Sequence, residues 1–322
     1  MKAPMDNLKK SFIITIDTEE DNQWCYNHAQ TTENAKYLPR FQELCEKYGF
    51  MPTYLTTYGM ASDNFFADYV KKKSLAGACE VGMHMHAWHV PPEHNLAITH
   101  KERQYITEYP NDIIEEKIHN LTNHLSSVFE QKIISHRSGR WTTNDAYLKM
   151  LVKYGYKVDC SVTPFINWEK TVGATGVGGS DYSKSPICSY EIVDGLLELP
   201  MSIRRIRSSS HKITSLKSII KSCYYSLFGR NVWIRPSDSP SSIEEMLRLS
   251  NSILNEKNTD YIMFMIHSSE LMPGGSPNFK DSDSIERLYK TLEILFDFLS
   301  TRTNGETLKG YYERKYNNVP LH

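Results

Sequence analysis

The sequence has few cysteines, and their spacing forms no recognisable framework. Its 322 residues include six, with no CxxC pair: Cys25, Cys45, Cys79, Cys160, Cys188 and Cys223. Zinc ribbons and small extracellular disulfide scaffolds both need closely spaced cysteines. The spacing therefore argues against both classes and favours reduced thiols.

Long apolar runs are also missing. No segment approaches the roughly 18 apolar residues that a membrane-spanning helix requires. The N-terminal "MKAPMDNLKKSFIITID" lacks the apolar run and cleavage site of a secretory signal. We therefore expect a soluble, cytoplasmic protein. Its length and 40% hydrophobic content suit one large α/β domain or two smaller ones. We expect a single domain over residues 1–322.

The sequence has almost no net charge, since 37 basic residues stand against 38 acidic ones. Nucleic acid is therefore not an expected partner, because nucleic-acid-binding domains usually carry a strong positive excess. The charge is nevertheless uneven along the chain. Residues 199–237 contain no acid but include eight basic residues: Arg204, Arg205, Arg207, Lys212, Lys217, Lys221, Arg230 and Arg235.

The stretch "SLKSIIKSCYYSLF" (215–228) lies inside this basic segment and has the apolar period of a helix. A basic amphipathic helix can bind an anionic membrane surface or present cations to phosphate. Residues 204–235 are therefore a candidate for peripheral contact with the anionic inner face of the membrane. The alternative is a scaffold helix with solvated lysines.

Short apolar runs alternate with segments of helical period along the whole chain. This pattern predicts βα units around a largely parallel sheet. Helical apolar stripes are predicted over 111–129, 241–254 and near 285–299. The predicted strands are residues 12–17, 52–58, 78–85, 132–137, 156–162, 195–200 and 261–267.

Residues with reactive side chains stand at the ends of these predicted strands. In parallel α/β sheets such ends meet at one edge, where active sites form. Each residue alone has an ordinary explanation: a turn carboxylate, a surface ion pair or a core histidine. Their joint occurrence favours a metal-dependent hydrolase, in which His and carboxylate ligands leave one position open for water. The residues concerned are Asp17, His84, His86, Arg137, Asp159 and His267.

The order of five motifs resembles the polysaccharide deacetylase family, carbohydrate esterase family 4, also called the NodB-homology fold. The resemblance covers roughly residues 11–275 and rests on "TIDTEED", "EVGMHMHAWH", "HRSGRW", "DCSVTP" and "FMIHSSELMPGGSP". "DYSKSPICSY" and "LLELPMSI" look like a divergent branch associated with lipopolysaccharide and surface-glycan biosynthesis. The resemblance implies a distorted (β/α)7 barrel, with an insertion at about 201–240 on its rim and closing helices at the C-terminus.

The resemblance also implies roles for individual residues. Asp17 would be the catalytic base, oriented by Arg137. His267 would be the acid, held in one tautomer by a carboxylate such as Asp159. The residues expected to contact substrate are Trp88, Trp141 and Glu270.

A divalent ion, with Zn²⁺ expected, would be bound by a carboxylate and two histidines. Most family members have adjacent aspartates in the first motif, but Thr18 follows Asp17 here, so the ligand would be Glu19, Glu20 or Asp21. Alternation along the strand favours Glu19. The family's spacing favours His84 with His89, while His86 is the rival because residues i and i+2 share a strand face.

The implied activity is hydrolysis of an N-acetyl group on a sugar of a surface polysaccharide or of its nucleotide- or lipid-linked precursor. Two alternatives stay open. One is a catalytically silent glycan-binding protein, and the other is a metal-dependent hydrolase of a different small amide.

Overall fold

The longest strand, Lys10–Thr18, lies near the middle of a largely parallel sheet. The computed structural model describes residues 9–21, 23, 29–207, 227 and 229–317. The strands within these ranges are β1 (Lys10–Thr18), β2 (Pro52–Thr56), β3 (Glu80–Met85), β4 (Ser135–Ser138), β5 (Val158–Asp159), β6 (Tyr190–Val193), β7 (Leu196–Glu198), β8 (Ile203–Ile206), β9 (Arg230–Trp233), β10 (Tyr261–His267) and β11 (Thr303–Glu306).

The main sheet has the strand order β10-β1-β2-β3-β4-β5-β7-β6, and β11 also pairs with β1. All pairings are parallel except that of β6 with β7. All seven predicted strands are present, with boundaries shifted by a few residues. The sequence pattern did not predict β6 and β11. It also did not predict β8 and β9, which form a separate antiparallel ribbon.

Helices follow most strands and cover the outer face of the sheet. The predicted apolar stripes are confirmed: Ile118 and Leu121 in one helix, and Leu292 and Leu295 in another, are buried. The helices in the described ranges are α1 (Leu38–Lys47), α2 (Tyr58–Ala61), α3 (Asn64–Leu75), α4 (Asn111–Phe129), α5 (Asp145–Lys153), α6 (Ser242–Leu254), α7 (Ser282–Ser300) and α8 (Leu308–Asn317). None of them is long and apolar enough to cross a membrane.

The sheet separates two apolar layers. Phe12, Ile14 and Ile16 of β1 belong to the layer between sheet and helices, whereas Ile13 belongs to a smaller cluster inside the curl of the sheet. Because successive residues of a strand face opposite sides, Asp17 falls on the same face as Ile13. The side-chain alternation of β1 therefore places the Asp17 carboxylate inside the curl, at the C-terminal ends of the strands.

The curl is closed by the segment that follows β7. The Tyr261 hydroxyl on β10 donates to the Pro200 carbonyl at 2.6 Å, and the Met263 amide donates to Ser202 Oγ at 2.8 Å. The chain after β7 thus bonds to β10 at the opposite end of the sheet. The result is the distorted (β/α) barrel that was predicted.

The basic segment, residues 199–237, contains the strands β8 and β9 on either side of residues 207–229. The predicted amphipathic helix at 215–228 lies almost entirely outside the described residues. Three arginines of the segment pair with acids from distant parts of the sequence: Arg204 with Glu256 at 2.6 Å, Arg230 with Glu245 at 2.5 Å, and Arg235 with Glu270 at 3.0 Å. The positive excess in the sequence is therefore partly neutralised in the fold. The described cysteines, Cys45, Cys79, Cys160 and Cys188, are free thiols, as expected.

Candidate active site

Strand register brings the reactive side chains together at the carboxyl end of the curl. Asp17 of β1 lies beside His267 of β10, and His84 of β3 lies beside Arg137 of β4. These neighbours are far apart in sequence. The parallel sheet therefore builds the site from four strand ends.

Asp17 and Arg137 form a buried ion pair. Arg137 Nη1 donates to Asp17 Oδ1 at 2.5 Å, and the Arg137 side chain is fully buried. Two further bonds fix the guanidinium, from Nε to the Cys160 carbonyl at 3.1 Å and from Nη2 to Thr15 Oγ1 at 3.0 Å. Burial alone would raise the pKa of Asp17, but the charge of Arg137 holds that pKa below its usual range.

The second oxygen of Asp17 faces the interior of the site. Its Oδ2 lies 3.9 Å from His84 Nε2 and 3.8 Å from His267 Nε2. Asp17 thus stands between two imidazoles, with one carboxylate oxygen held by arginine and the other directed at the reaction space. A base needs this combination of fixed orientation and a reachable lone pair.

Glu19, His84 and His86 form a group that can hold a metal ion. Their ligand atoms all lie within 4.8 Å of one another, and all three residues are buried. Glu19 Oε2 is 3.6 Å from His84 Nε2 and 3.2 Å from His86 Nε2. Tetrahedral zinc with bonds of about 2.1 Å separates its ligands by about 3.4 Å. The donor set therefore fits Zn²⁺ in type and spacing.

The backbone around the group orients two of its members. His84 Nδ1 donates to the Arg137 carbonyl at 3.1 Å, which leaves Nε2 as the free lone pair. The Glu19 amide donates to Ser268 Oγ at 3.1 Å, and the Asn34 side chain donates to the Glu19 carbonyl at 2.8 Å. The bond between Glu19 and Ser268 connects the candidate metal ligands with the segment that follows β10.

The geometry favours His86 over His89 as the second histidine. His84 and His86 share one face because they stand two residues apart at the end of β3. His89 lies in the turn beyond the strand, where its amide donates to the His86 carbonyl at 3.1 Å. Its ring is not part of the group that could hold an ion. The expected preference for His89 is therefore corrected, and the rival His86 takes its place.

The two other candidate carboxylates have different partners. Glu20 Oε2 accepts from Thr57 Oγ1 at 3.0 Å, and Asp21 Oδ1 accepts from the Thr31 amide at 2.9 Å and the Thr31 hydroxyl at 2.8 Å. Both side chains shape the loop after β1. Of these three carboxylates, Glu19 is the one that groups with His84 and His86 in the described part of the chain.

His267 is paired with Glu270 and not with Asp159 as predicted. His267 Nδ1 lies 3.1 Å from Glu270 Oε2 and 3.1 Å from Arg235 Nη2. Arg235 and Asn278 each donate to Glu270 Oε1 at 3.0 Å. Glu270 is fully buried and could not contact a substrate directly, which corrects that expectation too. Burial opposes its ionisation, yet the charges of Arg235 and His267 hold its pKa well below the usual range.

Asp159 has a different partner in a buried network behind the site. Its Oδ1 accepts from His136 Nδ1 at 2.7 Å, and Tyr147 donates to His136 Nε2 at 2.7 Å. Glu198 lies beside Asp159 in the register of β5 and β7, and burial raises the pKa of Glu198 well above its usual range. The sequence carried one signal for this network, because strand alternation places His136 on the opposite face from Arg137.

Two tryptophans stand around the site. The Trp88 ring lies 4.4 Å from the His86 ring, and Trp88 Nε1 has no hydrogen-bond partner in the described part of the chain. The Trp141 ring lies 5.1 Å from the Arg137 guanidinium, and its backbone φ of 64° is in the left-handed region that non-glycine residues rarely adopt. Such strain is concentrated at functional sites. Both tryptophans therefore border the side chains gathered at the carboxyl end of the curl.

Several solved structures share this fold. A Mycobacterium smegmatis protein assigned as a polysaccharide deacetylase aligns over 99% of this chain and 95% of its own, with a TM-score of 0.55 and 11% identity. A Parabacteroides distasonis protein assigned as a glycoside hydrolase/deacetylase aligns over 97% and 73%, with a TM-score of 0.54 and 10% identity. The 4-alpha-glucanotransferase of Thermococcus litoralis aligns over 96% and 41%, with a TM-score of 0.56 and 11% identity.

No protein-family model and no curated protein matches the sequence. At 10–11% identity, the structural likeness establishes the fold, which this chain shares with polysaccharide deacetylases. The glucanotransferase shows that the fold also carries other chemistry. The function must therefore be argued from the site.

Proposed function

We propose that the protein is a metal-dependent deacetylase that hydrolyses the N-acetyl group of a sugar in a surface glycan or in its nucleotide- or lipid-linked precursor. One observation carries this proposal. Asp17 Oδ2 lies within 3.9 Å of a member of the Glu19–His84–His86 group and within 3.8 Å of His267. A base, a metal group and an acid thus surround one reaction space, as amide hydrolysis requires.

Glu19, His84 and His86 would hold the ion, with Zn²⁺ the expected species. When bound, the ion supplies a Lewis acid that polarises the amide carbonyl and lowers the pKa of water. The three side chains are buried and face one point, so binding needs little rearrangement of the protein. The bond from His84 Nδ1 to the Arg137 carbonyl fixes the tautomer that a ligand histidine needs.

Asp17 removes the proton from the attacking water. Arg137 keeps this carboxylate ionised and limits it to one orientation, with Oδ2 free to accept. The water oxygen bonds to the acetyl carbon as the proton passes to Asp17. The carboxylate therefore acts as a positioned general base.

His267 supplies the proton that the leaving nitrogen needs. Its Nδ1 faces Glu270, so its Nε2 points toward Asp17 and the reaction space. Proton transfer from Nε2 to nitrogen accompanies cleavage of the C–N bond, and the products are acetate and an amino sugar. Glu270 stabilises the protonated ring, while Arg235 and Asn278 hold Glu270 in place.

Two other functions fit the same fold: glycan binding without catalysis, and hydrolysis of a different small amide. Glycan binding alone does not need a base, its orienting arginine and an acid around one space, as Asp17, Arg137 and His267 are arranged here. Trp88 and Trp141 are partly exposed and favour a sugar over a small amide, because aromatic side chains offer an apolar surface on which a sugar ring can stack.

Acetate release tests the proposal. Purified protein is loaded with Zn²⁺ and incubated with a panel of N-acetylated sugars and with simple acetamides. We expect acetate from at least one sugar, and we expect Asp17→Asn to retain its zinc while losing activity by roughly 10²–10⁴-fold. Circular dichroism confirms that the variant is folded.

The outcomes separate the three functions. Full activity of Asp17→Asn would remove Asp17 from the base role. Acetate released only from simple acetamides would support the small-amide hydrolase. Zinc binding without acetate release from any substrate would support a silent binding protein.

A further inference from the structure

Two loops and one turn stand side by side on the rim of the barrel. β4 lies between β3 and β5 in the sheet. We call residues 99–108, which follow β3, the first rim loop, and residues 168–182, which follow β5, the second rim loop. The turn Gly139–Trp141 follows β4 and leaves the sheet between them. Because parallel strands end at one edge of a sheet, all three lie on the side where the candidate active site forms.

The two rim loops are bonded to each other. The Thr99 and His100 amides of the first loop both donate to the Ala174 carbonyl of the second, at 2.8 and 3.0 Å. The Tyr105 hydroxyl donates to the Thr171 carbonyl at 2.7 Å. Backbone and side-chain bonds therefore connect segments that are far apart in sequence.

Glu108 of the first rim loop fixes the glycine-rich part of the second. Its carboxylate accepts from the Ala174 amide at 3.2 Å, from the Thr175 amide at 2.7 Å and from the Thr175 hydroxyl at 2.5 Å. A Cβ at Gly173 would overlap this carboxylate. Glycine is therefore required here because the Glu108 side chain passes directly over the backbone.

Arg140, in the middle of the turn, donates to both loops. Its Nη1 donates to the Arg103 carbonyl in the first rim loop, and its Nη2 donates to the Val172 carbonyl in the second at 3.0 Å. Its guanidinium also lies 4.2 Å from the centre of the Tyr105 ring. A guanidinium is planar and has donors in fixed directions, so it can hold two carbonyls at a set separation. One side chain therefore joins the turn to both rim loops.

The turn has a backbone conformation that non-glycine residues rarely adopt. φ is 55° at Arg140 and 64° at Trp141, and both values lie in the left-handed region. Such conformations persist only where surrounding contacts fix them. The bonds of Arg140 supply such contacts, and so does the bond from the Tyr182 hydroxyl to the Trp141 carbonyl at 2.7 Å.

Both rim loops border the candidate active site. The Arg103 guanidinium of the first loop lies 5.7 Å from the Trp88 ring, which stands beside His86. Trp141, which is bonded to the second loop, lies 5.1 Å from the Arg137 guanidinium. The position of the loops therefore affects the space in which a substrate would lie.

We propose that Arg140 is a positioning residue that joins the two rim loops into one wall of the substrate site and holds Trp141 in that wall. The role of the wall in substrate binding rests on the proposed function, whereas the joining of the loops does not. The bonds of Arg140 in the described part of the chain go to the loops and not to Asp17 or His267. Its loss should therefore weaken substrate binding and leave the chemical step nearly unchanged.

Amide hydrogen exchange tests the joining of the loops without any substrate. Arg140→Met removes both donors and keeps an unbranched side chain that can still pack against Tyr105. We expect the bonded amides of both rim loops to exchange about tenfold faster in the variant, because local opening becomes easier. The amides of β1 should keep their wild-type rates. The amides to follow are those of Thr99, His100, Ala174 and Thr175.

Steady-state kinetics tests the positioning. With a sugar that releases acetate, and at saturating zinc, we expect Arg140→Met to raise KM about tenfold and to leave kcat within about twofold of the wild type. Arg140→Lys keeps a charge over Tyr105 and one donor group, so its KM should be intermediate. A merely structural role would instead lower the active fraction, which reduces kcat and leaves KM unchanged.

Arg302→Met is the matched control. Arg302 Nη1 donates to the Phe298 carbonyl at 2.6 Å, and its guanidinium lies 4.2 Å from the Phe298 ring, but these contacts are local to the end of α7. The same exchange there should change neither KM nor the exchange rates of the rim loops. Circular dichroism checks the folding of each variant. Should Arg140→Met fail to fold, Tyr105→Phe removes only the hydroxyl that donates to Thr171 and should also speed exchange in both loops.

Three results would overturn the inference: exchange that accelerates in one rim loop only or in neither, a KM that stays at the wild-type value, or a fall in kcat as large as the fall in kcat/KM. Failure of the proposed function looks different. If no sugar releases acetate while Arg140→Met speeds exchange in both loops, the joined wall stands and the deacetylase does not. Acetate release with wild-type KM and wild-type exchange in the variant would uphold the deacetylase and remove Arg140 from the positioning role.

Discussion

Asp17 and Arg137 depend on each other in a way that surface ion pairs do not. Arg137 is fully buried, and Asp17 provides the carboxylate that balances its charge. Removing one partner of a buried pair typically costs about 3–5 kcal/mol, because the other charge is then left without compensation. Exposed pairs contribute about 0–1 kcal/mol. Replacing the residue proposed as the base is therefore expected to lower the free energy of unfolding as well as the activity.

The choice between His86 and His89 as the second histidine ligand of zinc can be tested directly. We expect His86→Ala to lose most of its bound zinc and His89→Ala to keep it, because only His86 stands with Glu19 and His84. Metal content per protein, measured after dialysis against limiting zinc, distinguishes the two. The variants form a matched pair from one short segment. Loss of zinc in His89→Ala with retention in His86→Ala would restore the ligand set favoured by the sequence.

Glu270 should make stability depend on pH. Its pKa is lower in the folded protein than in the unfolded chain, so its stabilisation is present above the unfolded pKa of about 4.3 and is lost as pH falls below that value. We expect Glu270→Gln to have a lower free energy of unfolding at neutral pH. We also expect a smaller decline in that free energy from about pH 5 to pH 3.

Urea unfolding across this range provides the measurement. Glu293→Gln is the control, because Glu293 forms an exposed pair with Lys47 at 3.1 Å and should contribute little at any pH. Curves for wild type and Glu270→Gln that stay parallel across the range would contradict the proposed ionised state of Glu270.

Among the elements, those with a strong apolar period were predictable from sequence and those formed by tertiary pairing were not. The seven apolar runs all became strands, because each buries side chains on one or both faces of the sheet. β11 has the sequence Thr-Asn-Gly-Glu, which contains no apolar residue. It becomes a strand by pairing with Lys10–Ile13 of β1, which precede the residues that pair with β2. β6 and the ribbon are short and only partly buried. No local pattern marks such strands.

The turn at Gly139–Trp141 explains why glycine stands in "HRSGRW". A Cβ at Gly139 would overlap the His86 ring and lie 2.6 Å from the Met85 carbonyl. We expect Gly139→Ala to displace His86 and to weaken zinc binding by at least tenfold. Competition with a chromogenic zinc chelator measures the change in affinity.

The control for this turn is Gly310→Ala in α8, where an added methyl group would make only ordinary contacts at 3.4 Å or more. It should leave the zinc affinity unchanged. A Gly139→Ala protein that binds zinc as tightly as the wild type would show that His86 has room to move or does not bind the ion.

For the whole molecule, the sequence predicted the class of fold and the end of the sheet at which the site forms. The contact between Asp17 and Arg137 and the grouping of Glu19 with His84 were expected from the sequence, whereas the partner of His267 was not. Glu270 replaced Asp159 beside His267 because the turn after β10 folds back on the strand, and this depends on backbone geometry that spacing does not reveal. The net charge of the basic segment also depends on contacts in the fold that its own sequence does not reveal. Three of its arginines, Arg204, Arg230 and Arg235, pair with acids at positions 256, 245 and 270, which lie outside residues 199–237.

Metal binding should stabilise the whole protein, because the ligands come from β3 and the end of β1 and meet only in the folded state. Zinc at about 100 times its dissociation constant should raise the free energy of unfolding by about 2.7 kcal/mol. Urea unfolding with zinc and with EDTA measures this difference, and His86→Ala should show little of it. Equal stabilisation of wild type and His86→Ala would place the ion elsewhere.

The alternation of β1 has a consequence for how this protein can change over generations. Ile13 and Asp17 face the inside of the curl, while Phe12, Ile14 and Ile16 face the helices. A single residue inserted in β1 would exchange these two rows and would turn the carboxylate outward while placing polar and apolar groups on the wrong sides. Insertions and deletions are therefore confined to the loops, and new specificities must arise there while the strand keeps its length.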